Sequence, residues 1–163
     1  VTNHILDLHR RDADVAVRPT RQPEQGLVGR RLCDVEFGVY ATPRLLRQLD
    51  RDNPFGARWI GFVDSLLQTP IGAWFSTMVD AGNVCLRCDS FGAVRSAAEA
   101  GIGFALLPRL LGDTSARLTE IAADTAELTI GLWALAHPDL ARSARVHAFI
   151  EHLDQALASP ESA

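Results

Sequence analysis

The stretch from Cys88 to Pro108, Cys-Asp-Ser-Phe-Gly-Ala-Val-Arg-Ser-Ala-Ala-Glu-Ala-Gly-Ile-Gly-Phe-Ala-Leu-Leu-Pro, constrains the fold more than any other part of the chain. Its signals predict the end of a strand, a helix opening at Ser90, a glycine stop at Gly101, and an apolar strand from Ile102 to Leu107 closed by Pro108. That is a β-α-β unit, which places the chain in the α/β class. The start of such a helix exposes unpaired backbone N–H groups beside small residues, an arrangement suited to holding a small anionic or polar molecule without chemistry being done on it.

The remaining composition narrows the function. The basic residues are all arginine, with no lysine anywhere, which excludes a Schiff-base lysine and a P-loop lysine. A formal net charge of -4 argues against gripping a phosphate backbone through the overall field. No apolar run approaches the roughly 20 residues needed to span a bilayer, and residues 1–11 carry no signal-peptide core, so a cytoplasmic protein without membrane contact is expected. Three cysteines fit a reducing compartment better than a disulfide framework.

Along the chain, residues 1–11 predict a short helix. Asp14-Val-Ala-Val-Arg18 is a short apolar run suited to a buried parallel strand, and a turn-rich loop follows it from Pro19 to Gly26. Ligands in open α/β sheets collect at the carboxyl ends of strands, which makes Arg18, Thr20 and Arg21 candidates; the ordinary reading of Arg18 is a solvated strand-end charge. Residues 27–32 and 35–40 predict two β segments broken at Cys33-Asp34, and Thr42-Pro43 opens a helix with Leu45, Leu46 and Leu49 on one face. A strand is expected over 59–63 and a helix from Thr69-Pro70 with Trp74, Phe75 and Met78 as a core stripe. Val84 to Cys88 reads as a strand. After Pro108 a loop and helix region reaches about Thr125, a strand spans 128–136, and Val146, Phe149, Ile150, Leu153 and Leu157 mark the last helix.

Residue patterns that carry chemistry elsewhere are not assembled here. Cys85 and Cys88 form a C-x-x-C, but on a strand residues three apart point to opposite faces, so their sulfurs cannot converge on a metal or a disulfide. His4 and His9, like His147 and His152, are five apart and diverge around a helix. No G-x-S-x-G elbow surrounds a serine that could join His137 and Asp89. Gly101 and Gly103 follow a helix and precede a strand, the reverse of the dinucleotide fingerprint. Neither a catalytic set, nor a metal, nor a cofactor is therefore expected.

Four blocks in order resemble the LysR-type transcriptional regulators. Asp7-Leu-His-Arg-Arg-Asp-Ala-Asp-Val-Ala-Val-Arg-Pro19 is similar to their D-L-x-R-R-E-A-D-I-A-x-R stretch. Leu27-Val-Gly-Arg-Arg-Leu32 with Phe37-Gly-Val-Tyr-Ala-Thr-Pro43 resembles L-V-x-R-R-L…Y-A-S-P, and residues 97–108 resemble A-x-x-A-G-x-G-I-A-x-L-P. Leu132-Trp-Ala-Leu-Ala-His-Pro138 and Arg145-Val-His-Ala-Phe-Ile150 resemble the closing strand and helix.

The resemblance implies an α/β effector-binding domain of the type 2 periplasmic-binding-protein fold, with two lobes joined by two crossover strands and a co-inducer in the cleft between them. Lobe I would hold residues 1–34 and 134–158, and lobe II residues 35–133. Regulators of the family carry a winged helix-turn-helix ahead of this domain, and the domain itself opens with a strand, a helix and a strand before the segment resembling residues 1–8. On that template the first lobe is incomplete and DNA would be reached only through a helix-turn-helix absent from this chain. The family analogy sends Arg18 and Thr20, Tyr40 and Thr42, and Ser90, Phe91 and Gly92 to the effector cleft, and implies a homo-oligomer when the domain is complete.

The function so implied is non-enzymatic sensing of a small organic anion that biases the DNA-bound regulator. A stand-alone solute-binding protein of the same fold predicts an export signal, and none is expected from residues 1–11. An enzyme on this scaffold would need a convergent acid, base or metal set.

Overall fold

The computed structural model describes residues 13–23, 25–49, 53–121, 125 and 128–158. The helix expected over residues 1–11 lies outside them. The chain divides into two compact units: one is Glu36–Leu128, and the other is built from two segments, Thr2–Val35 and Thr129–Ala163. Strand β2 (Val28–Ala41) begins in the second unit and ends in the first.

In the Glu36–Leu128 unit, the β-α-β expectation is met by β4 (Val84–Cys88), α4 (Phe91–Glu99) and β5 (Phe104–Pro108). The strands β4 and β5 flank β3 (Trp59–Phe62) and run parallel to it. On the far side of β5, β2 runs antiparallel with Phe37 opposite Pro108 and Tyr40 opposite Ala105, and β6 (Thr119–Ile121) pairs with the end of β2. Helix α4 forms because Ser90 caps it and because Val94, Ala97 and Ala98, spaced three and four apart, bury one face. It ends where Gly101 takes φ 74°. There the Gly101 N–H donates to Ala98 O at 2.8 Å and the Ile102 N–H to Ala97 O at 3.2 Å, the paired bonds of a Schellman stop.

The core of this unit is aromatic. Helix α3 (Pro70–Met78), capped by the Thr69 hydroxyl accepting from Gly72 N–H at 3.1 Å, inserts Phe75 between Phe62 and Trp59, with ring centroids 5.0 and 5.9 Å away. Burial of each such ring contributes about 1.5–3 kcal/mol, so β3 is held by its packing as much as by its ladder.

In the other unit, β1 (Val15–Pro19) runs antiparallel to β7 (Thr129–Ala136), with Val15 opposite Ala136 and Arg18 opposite Trp133. β7 also neighbours β2. A buried parallel strand was expected at β1; it is antiparallel, and Val17 stays exposed, because a five-residue apolar run fixes neither strand direction nor the second face. Helix α7 (Ala144–Ala158) buries Val146 but leaves Phe149 46 % and Leu157 44 % exposed.

Three further expectations need correction. The strand break at Cys33-Asp34 is absent: β2 runs through it, because Asp34 is exposed and its charge is met by Arg31 on the same strand. Helix α1 (Pro43–Leu46) is capped by Thr42 as expected but ends before Leu49. His137, read as a strand end, caps a short helix α6 (Pro138–Ala141) by accepting from the Asp139 N–H.

Candidate functional site

Strands β3 and β4 both end, at Phe62 and Cys88, on the edge where α4 begins. The Ser90 hydroxyl accepts the Ala93 N–H at 3.4 Å, and Ser90 O accepts the Val94 N–H at 3.0 Å. Helix geometry leaves the preceding N–H groups, those of Phe91 and Gly92, without an intrahelical partner. Phe91 lies over Phe37 and Phe62, each centroid 5.6 Å from its own, which gives the helix start an apolar floor. Gly92 opens the approach, since a Cβ placed there would meet nothing within 4 Å. Asp89, exposed at the turn into the helix, adds a carboxylate just ahead of the cap.

Tyr40 and Thr42 are not brought to this place. Tyr40 is fully buried, and its hydroxyl donates to Asp113 Oδ1 at 2.6 Å. Burial first, then that hydrogen bond and the nearby carboxylates, raises its pKa well above the ordinary phenol value. Thr42 lies beside Gly101, at the opposite end of α4 from Ser90: a Cβ on Gly101 would stand 3.8 Å from the Thr42 hydroxyl. Nine helical residues, roughly 13 Å of helix, separate the two ends. Arg18 and Thr20 belong to the other unit, where the Thr20 N–H donates to Gly131 O at 2.9 Å and its hydroxyl to Gln22 O at 2.7 Å.

The cysteines behave as structural residues. Cys88 is buried and Cys85 exposed, with the Cys85 thiol directed at Trp59 O, 3.3 Å away. Burial raises the Cys33 and Cys88 thiols above their ordinary value, with Asp34 and Asp89 adding to the effect. Both therefore stay protonated and weakly nucleophilic at neutral pH. Among the described residues no three His, Cys, Asp or Glu side chains converge as a metal site, and no helix is long and apolar enough to cross a membrane.

The sequence pattern of the LysR substrate binding domain matches residues 1–158. The chain belongs to that family. Solved structures of LysR-type domains share its fold. The regulatory domain of CrgA from Neisseria meningitidis has 24% identity and a TM-score of 0.78, covering 96% of this chain and 81% of that one. The effector domain of AmpR from Pseudomonas aeruginosa has 19% identity and a TM-score of 0.73, covering 96% and 78%. The regulatory domain of CcmR from Synechocystis PCC6803, in complex with 2-PG, has 16% identity and a TM-score of 0.67, covering 94% and 77%. The chain spans 55% of a longer CrgA structure. No curated protein sequence matches it.

As a LysR substrate-binding domain the chain has the periplasmic-binding-protein-like mixed α/β fold that its sequence blocks imply. Domains of this family are regulatory and bind effectors. Sequence reasoning found the α4 start, Phe91 included, through its cap signal but missed Phe37 and Phe62 against that ring, because the three are far apart in the chain and meet only when α4 packs on the sheet in which β5 lies between β2 and β3.

Proposed function

We propose that this LysR substrate-binding domain senses a small organic anion held at the start of α4, with Ser90, Phe91 and Gly92 as its contacts in the Glu36–Leu128 unit. The observation that carries the reading is the open helix start at the carboxyl ends of two parallel strands, unobstructed at Gly92 and floored by three phenylalanines. The N–H groups of Phe91 and Gly92 and the positive end of the helix dipole attract a carboxylate or phosphate, while the Phe91 ring receives the ligand's apolar part. That CcmR holds 2-PG in the same fold supports a small-molecule effector.

In the complete cytoplasmic regulator, effector binding would favour one conformation and so bias the DNA-bound state; the domain itself carries out no reaction. Gly92→Asp tests the site. The added carboxylate has room and strengthens the helix by about 0.3–1 kcal/mol through the dipole, yet it occupies the place of the effector anion. Calorimetry against a panel of small organic carboxylates should show binding by the wild-type protein, and its loss in a Gly92→Asp variant at least as stable. Equal affinity in the two proteins would dismiss the site.

A further inference from the structure

The opposite end of α4 carries a second feature, independent of the site at Ser90. A cavity of about 390 Å³ opens there within the Glu36–Leu128 unit, walled by Thr42, Arg44, Gln48, Arg58, Glu99 and Gly101. Its volume lies in the range of small-ligand sites, roughly 300–1,000 Å³. The elements that build it are fixed. Thr42 is tied to α1 by accepting the Leu45 N–H, Arg58 is held by its carbonyl accepting the Phe104 N–H at 2.8 Å, and Gly101 is locked at a φ that favours glycine.

The charges around it are unevenly committed. Arg30, Arg31, Arg95, Arg109 and Arg145 each face a carboxylate. Arg44 and Arg58, both exposed, form no ion pair among the described residues and line the same cavity. Glu99, the one carboxylate in the wall among the described residues, accepts from Arg95 Nε at 2.9 Å and from the Ser115 hydroxyl at 2.6 Å through a single oxygen. Those two bonds, Ser115 first, hold its pKa below the ordinary carboxylate value, so it is ionised at neutral pH and already neutralised by Arg95. Among the described residues, the donors with no carboxylate facing them are two guanidiniums and the Gln48 amide. Guanidiniums offer planar, paired N–H groups that match carboxylate and phosphate oxygens.

We infer that this cavity is a second binding site, for a small anion bearing a carboxylate or phosphate, gripped by Arg44 and Arg58 and distinct from the effector contacts at Ser90. Calorimetric titration with inorganic phosphate and with succinate, on the wild-type protein and on Arg44→Ala and Arg58→Ala, tests it. Saturable binding of at least one probe is expected. Each arginine variant should weaken it about tenfold or more, as expected for loss of a charge-assisted contact. Amide NMR shifts at Gln48 and Gly101 of the wild-type protein provide a readout that needs no variant. Absence of saturable binding by either probe, full affinity in both arginine variants, or shifts confined to Phe91 and Gly92 would overturn the inference.

Discussion

Gly112 and Tyr40 are fitted to each other: a Cβ on Gly112 would lie 2.2 Å from Cζ of the Tyr40 ring and 2.4 Å from its Cε2. The ring cannot move away, because it is fully buried and its hydroxyl is bonded to Asp113, the residue next to Gly112. Helix α5 (Arg109–Gly112) thus rests its last residue on the strand β2. Gly112→Ala is expected to cost about 1–3 kcal/mol as overpacking, seen as a lower urea midpoint. Gly92→Ala, where the new methyl meets nothing, should not destabilise the protein, and an equal loss in both variants would contradict this account of the Tyr40 contact.

Tyr40 is the only tyrosine of the chain, so phenolate absorbance reports on it alone. Its pKa is raised in the fold, by burial first and then by the bond to Asp113. A raised pKa means that the folded state holds the proton more tightly. The associated stability is complete below the ordinary phenol value of about 10 and is lost as pH climbs through the folded value. Absorbance titration of the native protein should give a midpoint above that of the urea-unfolded chain, and stability should fall from about pH 10 upward. In Tyr40→Phe that alkaline decline should be shallower. The same variant loses the hydrogen bond, at about 1 kcal/mol near neutrality. Coincident native and unfolded titrations would show that the phenol is not buried as described.

Glu99 predicts the opposite limb. The Ser115 hydroxyl and then Arg95 lower its pKa, so its stabilising effect is present above the ordinary carboxylate value and disappears as pH falls through the folded value. Chemical denaturation from neutral pH down to the folded value should show the wild-type protein losing stability relative to Glu99→Gln. Ser115→Ala, which removes the larger cause, raises the folded value toward the ordinary one and should make that loss smaller and complete at higher pH, with its onset unchanged. Parallel curves for all three proteins would remove Glu99 as the origin.

The parts of the fold legible in the sequence are those written by local chemistry. Ser90, Thr69 and Thr42 each act as the cap that their side chains announce, and Gly101 makes the left-handed stop that follows a helix pattern. Strand β6, Thr-Glu-Ile, is too short to show a period and is defined only by Val39, Tyr40 and Ala41 opposite it. The polar pair Cys33-Asp34 looked like an interruption because local polarity was visible and the ion pair with Arg31 was not.

The site divides along the same line. The start of α4 is contiguous in sequence and could be read directly. Tyr40 is aromatic and polar, a combination equally suited to a ligand and to a buried bond, and only the position of Asp113, 73 residues later, decides for the bond. The cavity at Arg44 and Arg58 draws on residues from Thr42 to Gly101 and has no local signature at all.

The central claim, that an anionic effector sits on the start of α4, is met most directly by backbone amide NMR of the protein titrated with small organic carboxylates. For a carboxylate that still binds saturably when Arg44 and Arg58 are both replaced by Ala, the account predicts the largest shifts at the Phe91, Gly92 and Ala93 amides, with the Phe62 and Phe91 ring protons following at the same midpoint. Saturable binding in that double variant that leaves those amides unmoved would contradict it.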